Sequence, residues 1–320
     1  MSIKQIKKVS ISLGATMLIV LLSSPILYAE TREQWDLEKE MESSLKAAAE
    51  KQVVTAESEE EDVQSEIDSS VIVLPSRRVE DQSGKVGIIQ SDTEYSYEFK
   101  VLDALPVKLS LDHNYISIDN STEVELPAHL VGLGFDMETT LPFFNYKNTY
   151  LRIGVNPSYY SDGWNFRSTA FRIPSRYYLI YRPDERWTFV GGLYVACDFE
   201  TPVFPILGFV YKPNDRLTFN IVPDRPNITY SLNDKIDLFA EGGRAVNSEF
   251  EVAKDDIKNT KLIYNQAHLG GGIKYNFNKY IQTSVTVGGV FNRTIKYQDS
   301  LGKVNIKNGL YSEFRIEMEI

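Results

Sequence analysis

Only one cysteine, Cys197, occurs in the chain, so no internal disulfide can form and stability must come from burial and hydrogen bonding. Histidine is almost as scarce, with His113, His129 and His268 the whole supply. A Ser/His nucleophile needs an imidazole within reach of a hydroxyl, and three scattered histidines followed by Asn114, Leu130 and Leu269 give little support for one. No histidine–carboxylate spacing suggests zinc, no phosphate-cradling glycine motif occurs, and no basic patch is present to hold nucleic acid. These absences speak against an enzyme and predict no cofactor, no metal and no nucleic-acid partner. Beyond the first thirty residues no run approaches the ~20 apolar residues of a helical span, so a membrane form of this chain has to be a β-barrel.

What is present begins with an export signal. Lys4, Lys7 and Lys8 precede the apolar run "VSISLGATMLIVLLSSPIL", and "LYA" before Glu30 offers a small residue for cleavage, so residues 1–29 read as a signal peptide. No cysteine near the cut is available for a lipid. Residues 30–69 hold fourteen Asp/Glu against four Lys/Arg, and this segment alone equals the chain's net charge of −10. Leu37, Met41, Leu45 and Ala48 recur there at helical spacing, so 30–84 is expected to be an acidic periplasmic segment, disordered or a short helix, with 85–105 a lead-in.

From residue 106 the texture becomes strict alternation. In 187–199 Trp187, Phe189, Leu193, Val195, Cys197 and Phe199 share one parity while Thr188, Tyr194 and Asp198 share the other; 131–143 and 281–292 behave the same way. A soluble β-sandwich alternates too, but these segments run about ten to fifteen residues, close to the 9–11 of a tilted membrane strand. Tight turn signals ("NYKN", "RPDE", "PND", "LND", "FNK") alternate with longer links at 161–168, 247–260 and 298–305. Aromatics cluster beside the tight turns (Tyr181, Trp187, Tyr211, Tyr275, Phe277, Tyr280) and again at the far ends (Tyr159, Phe199, Phe291, Tyr297), as two girdles would. "LTFNIVPDRPNITYSL" changes parity between Pro223 and Pro226 and reads as a hairpin. Strands are expected near 106–119, 128–144, 149–160, 169–182, 187–200, 203–212, 216–222, 227–232, 236–246, 262–277, 281–297 and 307–320. That is an all-β, antiparallel transmembrane barrel of about 12 strands (10–14) over 106–320, whose last strand closes against the first.

The run from "YRPDERWTFVGGLYV" through "PNITYSLNDKIDLFAEGG" resembles the core of an uncharacterised domain-of-unknown-function family of Gram-negative outer-membrane β-barrel proteins. The shared features are a Trp opening a Gly-containing strand, a Pro-bearing strand ending in Tyr, and the Pro-flanked hairpin. The resemblance covers about 100–320 and implies a fold and the outer membrane, but no activity. Residues 310–320 are similar to the signal read by the barrel-assembly machinery, with Ile320 where that signal has an aromatic.

Parity also sorts the charges. Asp136, Glu138, Arg152, Arg172, Arg176, Asp198, Glu200, Asp237, Glu241, Lys274, Glu313, Arg315 and Glu317 fall on the face opposite the apolar one and are expected to line a lumen, since Arg or Lys facing mid-membrane lipid costs ~2–4 kcal/mol. Such a mixed-charge wall suits a small diffusion channel or a solute-binding barrel for a small polar solute. The alternative is a closed structural or interaction barrel. Outer-membrane lipid and lipopolysaccharide are the expected surroundings, with Glu249, Glu251, Asp255 and Asp256 in an outer loop able to meet divalent cations. Gly270, Gly271 and Gly272 read as easing strand bending.

Overall fold

The computed structural model describes residues 64–320 except 81, 102–104, 145, 164–165, 224–225, 255–256 and 299–301. The expected signal peptide and the helical pattern of the acidic segment lie outside the described residues. Seventeen strand segments follow in order: β1 (Gln64–Arg78), β2 (Lys85–Val101), β3 (Leu105–Asn120), β4 (His129–Pro142), β5 (Thr149–Val155), β6 (Ser158–Ser161), β7 (Phe171–Arg172), β8 (Ser175–Tyr181), β9 (Trp187–Val195), β10 (Val203–Asn214), β11 (Leu217–Asn220), β12 (Asn227–Asn233), β13 (Ile236–Lys254), β14 (Ile257–Asn276), β15 (Ile281–Tyr297), β16 (Lys303–Ile306) and β17 (Gly309–Glu319). Three pairs, β5/β6, β7/β8 and β16/β17, are single strands broken by a short irregularity, and every neighbour around the ring pairs antiparallel.

The ring is a closed barrel of fourteen strands, not twelve. All twelve expected strands are present, and β1 and β2 add two more, inside the stretches read as acidic segment and lead-in. The closing seam is β1 with β17, in register from Glu66↔Glu319 to Val73↔Ser312, and β1 continues the ladder to β2. The last strand therefore closes on β1 rather than on 106–119. β1 and β2 escape a parity reading because their outer faces carry Ser69, Ser91 and Thr93 among Val71, Ile89 and Tyr95, which blurs the greasy stripe. Ser69 Oγ and Thr93 Oγ1 share a hydrogen bond at 3.1 Å, so these hydroxyls are partnered on that face.

Tight turns gather at the end of the barrel where β1 starts and β17 stops. Their sequences explain them: Asp184 accepts from the backbone N–H of Arg186 and Trp187 at 2.8 and 3.0 Å, Asn214 from Arg216 at 3.0 Å, Asn233 from Lys235 and Ile236 at 2.9 and 3.1 Å, and Asn278 from Tyr280 and Ile281 at 2.8 and 2.9 Å. Each side chain imitates a backbone turn and satisfies donors that the ladder leaves over. Just above, an outer-face aromatic row crosses neighbouring strands, with Trp187 stacked on Tyr211 at 4.1 Å and on Phe189 at 5.4 Å. The girdle at the opposite end is thinner than expected. Phe291 is exposed, but Tyr297 is buried inside, Tyr159 is buried on the outer face with its ring 5.1 Å from that of Phe166, and Phe199 is half-buried over Arg172. A bulge turns Tyr297 inward: Asn292 adopts φ +51° beside a register shift at Asn265/Ala267, whereas Tyr159 keeps its outward register against Leu133 and Phe171.

One arc of the wall is short. β11 spans four residues and β12 seven, because Pro223 and Pro226 cannot donate to a ladder, so the ladder between β10 and β13 stops early. Residues 221–223 fold against Gly208, where a Cβ would come 2.5 Å from Val222 Cα, and Gly242 N–H donates to Pro226 O at 2.9 Å. Among the described residues, the next pairing on that edge of β13 is across the barrel: Glu251 pairs parallel with Ser161 of β6. Asp162 N–H donates to Glu251 O at 3.1 Å and Ala253 N–H to Asp162 Oδ2 at 3.0 Å. The stretch 247–260, expected as a loose outer loop, is thus mostly a strand hairpin leaning into the mouth.

Candidate functional site

The interior divides by height. Toward the tight-turn end the inner face carries Asp68, Gln90, Asp92, Glu94, Ser96, Ser110, Asp136, Glu138 and Thr140, all buried. The densest network joins β4, β5 and β8. Arg176 Nε donates to Glu138 Oε2 at 2.9 Å and its Nη2 to Asp136 Oδ2 at 2.5 Å; Arg152 Nε lies 3.1 Å from Glu138 Oε1 and donates to Thr140 Oγ1 at 3.1 Å. Gly154 makes this possible, since a Cβ there would come 2.7 Å from Arg176 Nε. Around the wall Arg315 reaches Asp68 at 3.4 Å and Glu313 at 3.3 Å, Lys274 reaches Glu317 at 3.7 Å, and Lys108 reaches Glu94 at 3.7 Å. Asp92 accepts from Gln90 at 2.9 Å and from Asn114, and Asp112 accepts from Asn156 at 3.1 Å. Alternation forces these groups inward, and pairing of opposite signs offsets part of their desolvation. Acid predominates: ten buried carboxylates stand against six buried cations among the described residues.

Toward the long-link end the same inward parity carries apolar side chains. Leu74 from β1, Ile88 from β2, Ile116 and Ile118 from β3, Leu130 from β4, Phe250 and Val252 from β13, Leu262 and Tyr264 from β14, Ile295 from β15 and Ile306 from β16 form one buried cluster. Walls on opposite sides therefore meet in a filled core, and the β13–β6 contact seals its flank. Tyr160 of β6 joins Phe250 edge-on at 5.8 Å. Polar groups clamp the crossing. Arg172 Nη2 lies 3.8 Å from Glu251 and Nη1 donates to Asp198 O at 2.9 Å, Lys261 lies 3.4 Å from Glu249, Glu249 accepts from Glu200 N–H, and Lys296 holds Glu200 at 3.0 Å. The barrel is a polar cup under an apolar plug, except along β8–β10, where Ile180, Val190, Phe204, Ile206, Val210 and Val222 form a second buried apolar cluster that reaches down the wall toward the tight turns.

The family model described as a domain of unknown function, DUF6268, matches residues 100–318. The chain belongs to that family. DUF6268 thus takes in the barrel from the end of β2 onward and leaves β1 outside its matched span. No curated protein matches the sequence. Among solved structures, this DUF6268 barrel is similar to an outer membrane channel from Pseudomonas putida F1 at 10% identity, covering 82% of this chain and 100% of that one with a TM-score of 0.44. It is similar to a Pseudomonas aeruginosa FadL homologue at 11% identity, covering 80% and 89% with a TM-score of 0.44. The KdgM porin gives 8% identity, 79% and 98% coverage and a TM-score of 0.33.

Most of the sequence-expected lumen residues of this DUF6268 barrel sit inside. Asp136, Glu138, Arg152, Arg176, Glu241, Lys274, Glu313, Arg315 and Glu317 are buried in strands, Arg172 is buried at the crossing, and Asp237 is half-buried beside Asn276. Asp198 and Glu200 are corrections: β9 stops at Val195, and both lie exposed in the link that follows, together with Cys197, which leaves the strand's outer face. Of the four carboxylates read as loop ligands for divalent cations, Glu249 and Glu251 are buried at 1% and 3% exposure and are engaged in the crossing, and Asp255 and Asp256 lie outside the described residues. Among the described residues no group of three or more His, Cys, Asp or Glu is placed to hold a metal. Missed were Asp68, Asp92 and Glu94, because the barrel starts earlier than expected, Asp112, half-buried within the expected strand 106–119, and Arg293, because the bulge at Asn292 turns an outward parity inward. The glycines Gly270 and Gly272 accommodate rings: a Cβ would come 2.3 Å from the Tyr311 hydroxyl in the first case and 2.4 Å from Phe239 Cζ in the second.

Proposed function

We propose that this barrel stands in the outer membrane, tight turns toward the periplasm, and passes small polar solutes through an acidic, mixed-charge lumen that its own plug shuts. The supporting observation is the division of the interior: a charged cup with surplus carboxylate is not needed to fill a purely structural barrel, whereas an apolar core at one end is what a shut gate requires. The outer belt of Phe135, Met137, Val285, Val287, Ile273 and Phe314, each exposed, suits lipid below and lipopolysaccharide above, and β17 supplies the strand offered to the assembly machinery. No catalysis is assigned to it. The second reading, a permanently closed interaction barrel, is favoured by the plug alone.

Planar-bilayer conductance separates them. Wild type should conduct rarely, and a variant with 247–260 replaced by a short turn should conduct steadily with cation preference, since the crossing to β6 is gone. A correctly folded variant that stays silent would favour the permanently closed barrel.

A further inference from the structure

One charge inside the plug lacks a counterpart. Arg293 is 1% exposed, its three guanidinium nitrogens are enclosed, and the acceptor beside them is the Tyr264 hydroxyl rather than a carboxylate. Its cross-strand neighbour is Ile306, and Ile295 follows it on the same face; both belong to the apolar cluster. The polar group beside it is the Tyr264 hydroxyl, whose own proton is given to Gln266 Oε1 at 2.5 Å. No ion pair joins Arg293 to a described carboxylate, although ten are buried elsewhere in the barrel.

A guanidinium does not lose its proton to escape burial, so the shut plug encloses a full charge with donors unused. Opening the plug relieves that cost through hydration, and an anion relieves it further, because the planar fork matches a carboxylate or phosphate with two parallel hydrogen bonds. In the shut state the nitrogens are enclosed, so an anion reaches them only when the plug is loosened. A ligand that binds one state alone shifts the balance toward it. We propose that Arg293 receives an oxyanion, a carboxylate or phosphate borne by a small solute, and that its binding holds the plug open, with Tyr264 and Gln266 as neighbouring hydrogen-bonding groups. This rests on the gate proposed above and names its trigger.

The test compares wild type, Arg293→Met, Arg293→Lys and the 247–260 replacement in planar bilayers at constant ionic strength, with inorganic phosphate or acetate replacing chloride. Wild-type open fraction should rise about 5-fold or more with either anion, within the usual range of ligand coupling. Arg293→Met should stay shut in both and resist thermal unfolding in detergent better than wild type, and Arg293→Lys, which keeps charge without the fork, should open with a weaker response. The inference is overturned if Arg293→Met opens or responds to the anions as wild type does, or unfolds more easily than wild type. It is overturned as well if neither anion moves the wild type while the 247–260 replacement conducts. If that replacement is itself silent, the gate falls and the inference falls with it.

Discussion

Gly270→Ala tests whether the plug is a specifically packed core. A Cβ at this inner-face position of β14 would come 2.3 Å from the Tyr311 hydroxyl oxygen and 3.0 Å from both Tyr311 Cζ and Thr286 Cγ2. The first is more than about 1 Å inside the ~3.5 Å optimum for such contacts. Tyr311 cannot swing away freely, being 4% exposed within the plug with the His268 ring edge-on at 5.5 Å. An added methyl in a filled core costs about 1–3 kcal/mol, and the 2.3 Å contact puts this site toward the upper end. Tyr311→Phe removes the nearest atom but leaves the 3.0 Å contact, so it should return part of the loss. Tyr311→Ala removes the ring and should itself cost about 3–5 kcal/mol, yet Gly270→Ala added to it should cost almost nothing more. Urea unfolding in detergent micelles, followed by tryptophan fluorescence, measures all four proteins, and shifted gel migration of unheated samples verifies that each barrel folded. Additive losses in the double variant would refute the contact, and unchanged stability of Gly270→Ala would refute a filled plug.

Three further outcomes are expected. Val285→Arg, on the outer face between Ile273 and Phe314 and 53% exposed, should cost about 2–4 kcal/mol at mid-membrane and lower the assembled fraction seen on unheated gels; undiminished assembly would remove Val285 from the lipid face. Arg176→Gln leaves Asp136 without its ion-pair partner and Glu138 with one cation fewer, and should lower unfolding stability by about 3–5 kcal/mol; a change below 1 kcal/mol would mean that water already screens the pair. Deleting 314–320 removes six of the eight pairs of β17 with β1 and five of its ten with β15, and deleting 31–69 removes the start of β1, so membrane fractionation should find neither protein inserted.

The strand inventory was legible in the sequence wherever one face met lipid and the other met charge. Residues 131–143 show why: Phe135 and Met137 are exposed while Asp136 and Glu138 are buried, so hydropathy and facing coincide. The tight turns were equally plain, since at four of them an Asp or Asn supplies its own cap. Legibility failed where a polar residue stood on the outer face, as at Ser69 and Thr93, and where a bulge changed parity mid-strand, as at Asn292. It failed also for Asp198 and Glu200, because parity does not announce that a strand has ended; Pro202 just beyond is the available signal.

The plug was harder to read for a deeper reason. A side chain facing lipid and one facing a packed core have the same chemistry, so alternation distinguishes the two faces only where the interior is wet. Where it is filled, both faces turn apolar and the period of two disappears into a run. Such runs are present: in "VIVL" Val71 and Val73 are exposed while Ile72 and Leu74 belong to the plug, and Ile88 is buried at 2% beside Ile89 exposed at 50%. In β1 the run lies toward the long-link end, with Asp68 and Ser70 alternating below it. A strand that begins in alternation and finishes in a continuous apolar run is therefore reporting the height at which the interior of its barrel turns from charged to apolar. Read that way, β1 and β2 carry in their own sequences the boundary between cup and plug, and Arg293 becomes conspicuous as a charge placed above it.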